Sequence, residues 1–241
     1  MIRGYYSWNW GAGSAPAGAN AGVAFTGLVS VTAAQEGYTP GASWCCPALE
    51  GTKYLSLGGG NSAGVFTKTS LQGVIDDVAK INASAYDGVM FDVEEVVGPA
   101  STMVPLFGEA FAAIKKRGLL VGVTTSHSAP YQTDEPADAV AFVKAWVADP
   151  RVDVLSPQLY SSGSEAKPEF APTASCAAAG CTWELYRGAK PKLAPSIVDA
   201  SQYEEVAKWF AANLSVTTAG FFEWSQHKST ERPAPPETVE A

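Results

Sequence analysis

The chain has 241 residues, 46% of them apolar and 17% charged, which is enough for a sizeable core and is not the composition of a disordered chain. Lys and Arg number 16 against 24 Asp and Glu, a net charge of −8. That balance argues against a phosphate-binding surface for nucleic acid or an anionic membrane and leaves a neutral, polar ligand open.

Short apolar runs alternate with longer amphipathic ones along the chain. Strands are expected at Ile2–Trp10, Gly27–Thr32, Tyr54–Gly58, Gly88–Glu94, Leu119–Thr124, Val152–Tyr160, Lys192–Val198 and Gly220–Trp224. Helices are expected at Ser70–Ile81, Val104–Arg117, Ala137–Ala148 and Ser201–Asn213. In the first of these, Leu71, Val74, Ile75, Val78 and Ile81 recur at helical spacing. In the last, Ser201 and Glu204 have the spacing of a capping box. The Gly- and Pro-rich stretch 32–52 gives little helix signal, so the second crossover is expected to be irregular.

Eight strands separated by crossovers predict a (β/α)8 barrel over residues 1–228, with a doubly wound sheet as the competing arrangement. Residues 229–241, which include Arg-Pro-Ala-Pro-Pro, read as a tail that cannot form a normal closing helix. No uninterrupted apolar run reaches the roughly 18–20 residues of a transmembrane helix. The opening residues show no signal-peptide pattern.

The chemically informative stretch is Tyr86-Asp-Gly-Val-Met-Phe-Asp-Val-Glu-Glu95. Side chains alternate across a strand, so Val89, Phe91 and Val93 share one face while Met90, Asp92 and Glu94 share the other. An apolar outer face places the two acids inside the barrel, near the strand end where active sites of this architecture form. Buried acids are costly unless paired, hydrogen-bonded or functional. Two carboxylates with Cα atoms roughly 6.5–7 Å apart tend to split their pKa values, as a glycosidase requires. No second strand supplies a carboxylate nucleophile, because Glu95 and Glu223 fall on the outward parity.

Asp87-Gly-Val-Met-Phe-Asp92-Val-Glu94 resembles the DGxDxDxE fourth-strand signature of glycoside hydrolase family 18, the chitinases and endo-β-N-acetylglucosaminidases. Gly4-Tyr5-Tyr6 is similar to that family's first strand and Ser56-Leu-Gly58-Gly59 to its SxGG third strand. Gln158-Leu-Tyr160 is similar to its sixth-strand motif and Gly220-Phe-Phe-Glu-Trp224 to its eighth. The resemblance spans about residues 2–225.

It implies substrate-assisted, retaining hydrolysis of β-1,4-linked N-acetylglucosamine, a recognised exception to the two-carboxylate rule. Under it Glu94 is the acid, Asp92 orients the substrate's 2-acetamido group and Tyr160 donates a hydrogen bond to that group. Trp224 forms the floor and Gln158 lines the pocket. Tyr5 and Ser56 correspond to the residues that hold a middle aspartate, and Asp87, Gly58 and Gly59 support the site. No cofactor is implied. Little room lies between Val198 and Ser201 for the α+β insert of some members, so an open cleft and internal cleavage are expected.

Three departures stand out. Met90 occupies the middle-aspartate position, which is expected to let Asp92 ionise more readily and to lower activity or move its pH optimum. Ser161 follows Tyr160 where an acid or amide is common, and the final helix is expected to be absent. These motivate an alternative, a catalytically weak chitinase-like carbohydrate-binding protein of lectin or inhibitor type.

Other signals are weaker. Gly58-Gly59-Gly60 lacks the Lys-Ser/Thr of a phosphate loop. Ser126 and His127 are neighbours that a strand turns to opposite sides, so they do not suit a nucleophile and its base. Trp8, Trp10, Trp44 and Trp183 fit either sugar stacking or packing. Cys176 and Cys181 have the spacing of a loop disulfide, while Cys45-Cys46, with only His127 and His227 to assist, makes a poor zinc site. With sequons at Asn82 and Asn213, the cysteines point to an extracellular or secretory origin, and a monomer is expected.

Overall fold

A computed structural model describes residues 1–10, 15–43 and 45–224. Eight parallel strands close on themselves: β1 (Ile2–Trp8), β2 (Ala21–Phe25), β3 (Thr52–Gly58), β4 (Gly88–Asp92), β5 (Leu120–Ser126), β6 (Val154–Gln158), β7 and β8 (Gly220–Glu223). β7 comes in two pieces, Lys192–Leu193 and Ser196–Ile197. The first piece pairs with β6, whereas Ser196 pairs with both Gln158 of β6 and Phe222 of β8. Pairing of Ile2 with Gly220 joins β8 to β1 and completes the closed barrel expected from the sequence.

The helices are α1 (Val31–Gly37), α2 (Lys68–Asp77), α3 (Ala100–Lys116), α4 (Pro136–Ala148), α5 (Ala174–Ala178) and α6 (Tyr203–Leu214). They cover the outside of the sheet through one large apolar layer that includes Val89, Phe91, Phe107, Phe142 and Phe210. A second, smaller cluster fills the interior with Tyr6, Val23, Phe25, Tyr54, Met90, Val154, Ala194 and Phe222. The parity expected for the fourth strand is therefore the one observed, with Met90 inside and Val89, Phe91 and Val93 outside.

The second strand lies earlier than expected. Gly27 takes a left-handed turn (φ 74°), and Ser30 accepts a hydrogen bond from the backbone of Ala33 to start α1. The β-branched run 27–32 thus becomes turn and helix. The strand role falls to Ala21-Gly-Val-Ala-Phe25, where Gly22 leaves room for the Tyr5 ring, and the second crossover holds the short helix α1 followed by an irregular stretch over the described residues 38–50.

The start of α6 also differs. Asp199, not Ser201, accepts the capping bond and shares a reciprocal box with Gln202, while Glu204 pairs with Lys208 on the surface. The chain passes from Ile197 to the turn Ala200–Gln202 within three residues. Cys45–Cys46 and Cys176–Cys181 are both disulfides. The tail at 229–241, the closing helix and Trp44 lie outside the described residues.

Candidate active site

Parallel strands bring all their C-terminal ends to one pole, and three of those ends carry polar side chains that meet there. Asp92 closes β4, Glu94 follows two residues later, Ser126 closes β5 and Gln158 closes β6. The Gln158 amide nitrogen donates to Asp92 Oδ1 at 3.1 Å and to Glu94 Oε1 at 3.3 Å. Ser126 donates to Glu94 Oε2 at 3.2 Å, and the Gly60 backbone hydrogen-bonds the same carboxylate. A side chain at Gly60 would meet Glu94 Oε2 at 2.7 Å and push the carboxylate aside.

Burial decides the protons of both acids. Asp92 is 1% exposed, and its pKa is held well above the usual carboxylate range, first by burial and then by the charge of Glu94. Glu94 is also raised by burial, and its bonds from Gln158, Ser126 and Gly60 pull in the opposite direction. The expected effect of Met90 on Asp92 is relative to an acid at the same position, and burial inside the barrel holds Asp92 above the usual carboxylate range even with Met90 as its neighbour.

An aromatic wall borders these acids. The Trp224 ring stacks on Tyr160 with centroids 5.8 Å apart and touches Tyr6, Trp8 and Phe25 at 4.8–5.3 Å. Trp10, 39% exposed, extends the row by stacking on Trp8 at 5.7 Å. The Tyr160 hydroxyl and Asp92 Oδ2 are both buried without a hydrogen-bond partner in the protein. Such groups call for a partner, and a polar ligand beside Trp224 would supply it. Trp183, by contrast, belongs to the outer layer, donating to the Phe170 carbonyl and packing on Trp209 and Phe210.

The first strand presents the other of its two tyrosines. Tyr5 lies in the outer layer with its hydroxyl bound to the Glu50 backbone, so it does not reach the site. Tyr6 faces inward, 3.1 Å from Ser196 Oγ, which is 2.8 Å from Ser156 Oγ, which donates to the Ala194 carbonyl. A carbonyl only accepts, so the chain runs one way: Ser156 to Ala194, Ser196 to Ser156, Tyr6 to Ser196. The Tyr6 proton is thereby committed away from Asp92.

The supporting residues lie at three levels. Asp87 accepts from the Lys53 backbone at 2.8 Å and ties β3 to β4 at the pole opposite the acids. Ser56 and Met90 line the interior halfway up. Gly58 and Gly59 have φ of 101° and 141°, and a side chain at Gly58 would collide with the Asp92 carbonyl at 2.3 Å. Glu223 is in register with the outward Tyr5, and Glu95 accepts from Tyr131.

Beyond β6 a loop closes over the wall. Ser161 and Ser162 donate backbone N–H groups to Glu165, Gln202 holds the Glu165 carbonyl, and Gly163 lies directly on Trp224. Ser161 Oγ donates to Glu169 at 2.6 Å, a carboxylate that also lies 3.0 Å from His127. Ser126 and His127 thus serve different neighbours, as expected of adjacent strand positions.

Sequence reasoning missed Tyr6, Ser126 and Gly60 as parts of the site. Parity counted back from the inward-facing tryptophan would have found Tyr6, since Trp8 lies two residues on. Nothing in the sequence signals the bond from Ser126 to Glu94, because it joins separate strands. No protein-family model, curated protein or solved structure matches this chain.

Proposed function

We propose that the chain is an endo-acting hydrolase of β-1,4-linked N-acetylglucosamine glycans, of the chitin or N-glycan-core type, working by substrate assistance. One observation carries the reading. Two buried acids on one strand end are bridged by the Gln158 amide, beside an unpaired tyrosine hydroxyl and a tryptophan floor.

In this scheme a sugar lies on Trp224 with its acetamido group directed at Asp92 and Tyr160. Tyr160 donates to the acetamido carbonyl oxygen, and Asp92 Oδ2 takes the acetamido N–H. Glu94, its pKa raised by burial, transfers its proton to the glycosidic oxygen as the C1–O bond breaks. The carbonyl oxygen bonds to C1, giving an oxazolinium ion. Glu94 then removes a proton from water, which opens the ring from the original face and retains the β configuration. No step needs a second carboxylate nucleophile.

Glu94→Gln tests this reading. Loss of a general acid costs about 10²–10⁴-fold, so hydrolysis of chitooligosaccharides should nearly vanish while binding and fold persist. Undiminished turnover, or initial α product by NMR, would rule the scheme out.

Met90 supports a second reading, a chitinase-like binding protein. It fills the interior with a thioether where the resemblance expects an acid, and Ser56 beside it is left unpaired. Measurable binding without products, from both a chitooligosaccharide and a high-mannose glycopeptide, would favour that reading. A secreted monomer fits either one, and the two disulfides support an oxidising compartment.

A further inference from the structure

We infer that Asn82 is a modification site, the attachment point of an N-linked oligosaccharide, and that the second sequon, at Asn213, stays bare. The inference is independent of what the cleft binds or hydrolyses. It rests on the oxidising, secretory compartment that the two disulfides support.

The sequence offers two acceptors of the form Asn-X-Ser, Asn82-Ala-Ser84 and Asn213-Leu-Ser215, and the fold treats them differently. All three residues of the first are exposed, in the stretch between the short helical turn Val78–Lys80 and β4. Ser84 Oγ donates to Asn82 Oδ1 at 2.6 Å, and the Ser84 backbone N–H donates to the same atom at 3.1 Å. A backbone N–H only donates, so the atom it meets is the amide oxygen and the nitrogen is the other one. The hydroxyl that makes the tripeptide an acceptor thus already lies on the amide it serves. Among the described residues nothing accepts from the Asn82 nitrogen, since the bonds of Asn82 run through Oδ1 and the backbone.

The turn is anchored from behind by groups that the modification leaves alone. Gln35 of α1 accepts from the Asn82 backbone at 2.8 Å, and Arg117 at the end of α3 donates to the Ile81 carbonyl at 3.0 Å. The Asn82 carbonyl accepts from Ala85 and Tyr86, both at 3.0 Å. A sugar on the side-chain nitrogen therefore displaces no bond. It also stands clear of the cleft, because this turn feeds β4 at the pole where Asp87 lies, opposite the acids.

Asn213 is placed otherwise. It lies in the last turn of α6, where its nitrogen donates to the Trp209 carbonyl at 2.9 Å. Leu214, the middle residue of that sequon, is 3% exposed, and Ser215 caps the helix with φ of 56°. Presenting this tripeptide to a transferase would unwind the turn and pull Leu214 out of the core. The sugar donor is a lipid diphosphate-linked oligosaccharide. The Asn82 nitrogen bonds to C1 of its terminal sugar, the C1–O bond to the diphosphate breaks, and the proton lost by nitrogen ends on the departing diphosphate.

The test is peptide mapping of the full chain secreted from a eukaryotic host behind a cleavable leader. An amidase that removes N-glycans marks each occupied site by converting its asparagine to aspartate. Wild type should carry one glycan, with Asn82 converted and Asn213 unchanged, a result that needs no variant to fold. Asn82→Gln and Ser84→Ala should each lose the glycan, and Asn213→Gln should keep it. A glycan on Asn213, alone or together with Asn82, would show that the fold does not choose between the sequons and would overturn the assignment. A bare chain with both disulfides intact would overturn it and leave the oxidising compartment standing, whereas a bare chain with free thiols would remove both.

Discussion

Ser56 and Met90 are register partners on β3 and β4, and the Ser56 hydroxyl is fully buried without a hydrogen bond. A thioether is a poor acceptor, so the hydroxyl faces a neighbour that cannot satisfy it. Directly across β4, the Met90 sulfur rests on Gly122, where a Cβ would come within 2.6 Å. Methionine fills the interior at the expense of one orphaned donor.

Met90→Asp reverses that exchange. The new carboxyl would accept from Ser56, and its charge beside Asp92 would raise the Asp92 pKa further. Burying it should lower unfolding free energy by about 1–3 kcal/mol, read by chemical denaturation. The pH–rate profile should also move, whereas superimposable profiles would show that position 90 has no electrostatic hold on the site.

Ser126→Ala removes a bond that favours the ionised form of Glu94. The Glu94 pKa, already raised by burial, should rise again. The acid then remains protonated to higher pH, so the alkaline limb of the kcat/KM profile shifts upward. Looser positioning should reduce the maximum by about 10-fold, at the low end for general acids. An unmoved limb would show that Ser126 has no influence on the proton.

Gly163 has φ of 79°, and a side chain there would fall 2.3 Å from Trp224 Nε1. Gly163→Ala should therefore displace the indole from Tyr160 without disturbing the barrel strands. We expect oligosaccharide binding to weaken by about 10-fold, in line with the roughly 0.5–1.5 kcal/mol that aromatic pairs contribute. Titration monitored by tryptophan fluorescence measures it. Binding at wild-type affinity would mean that Trp224 is not part of the platform.

Glu223 titrates outside the cleft. Burial first, then the charge of Asp199, raises its pKa to about 7. The folded chain therefore holds a proton that the unfolded chain releases near 4.5. The associated stability is fully present below that value and is lost as pH rises to about 7. Glu223→Gln should flatten this slope, on the order of 2 kcal/mol between pH 4.5 and 8. Equilibrium unfolding across that range decides it, since parallel curves for the two proteins would refute the assignment.

Much of the barrel was legible because buried strands announce themselves. Gly88–Glu94 carries its own parity, apolar on one side and mixed on the other, and the structure keeps it. The first strand carries no such mark. Tyr5 and Tyr6 are chemically alike, and what separates them is the parity of Trp8 two residues on, together with cross-strand neighbours such as Phe222 and Phe25. At 27–32 the β-branched residues pointed to a strand, but Gly27 and the Ser30 cap outweighed them. The bonds that assemble the site, from Gln158 and Ser126 to β4, join residues 32–66 positions apart, and no local pattern encodes them.

The bridge between the two acids is an uncharged amide. A lysine or arginine in its place would make the site an ion pair, open to weakening by dissolved salt to whatever degree solvent reached it. Gln158 holds Asp92 and Glu94 through the dipoles of a neutral side chain, with Asp92 buried and Glu94 partly so. The link that joins the two acids thus carries no charge for dissolved salt to screen, and brine weakens it no more directly than fresh water does.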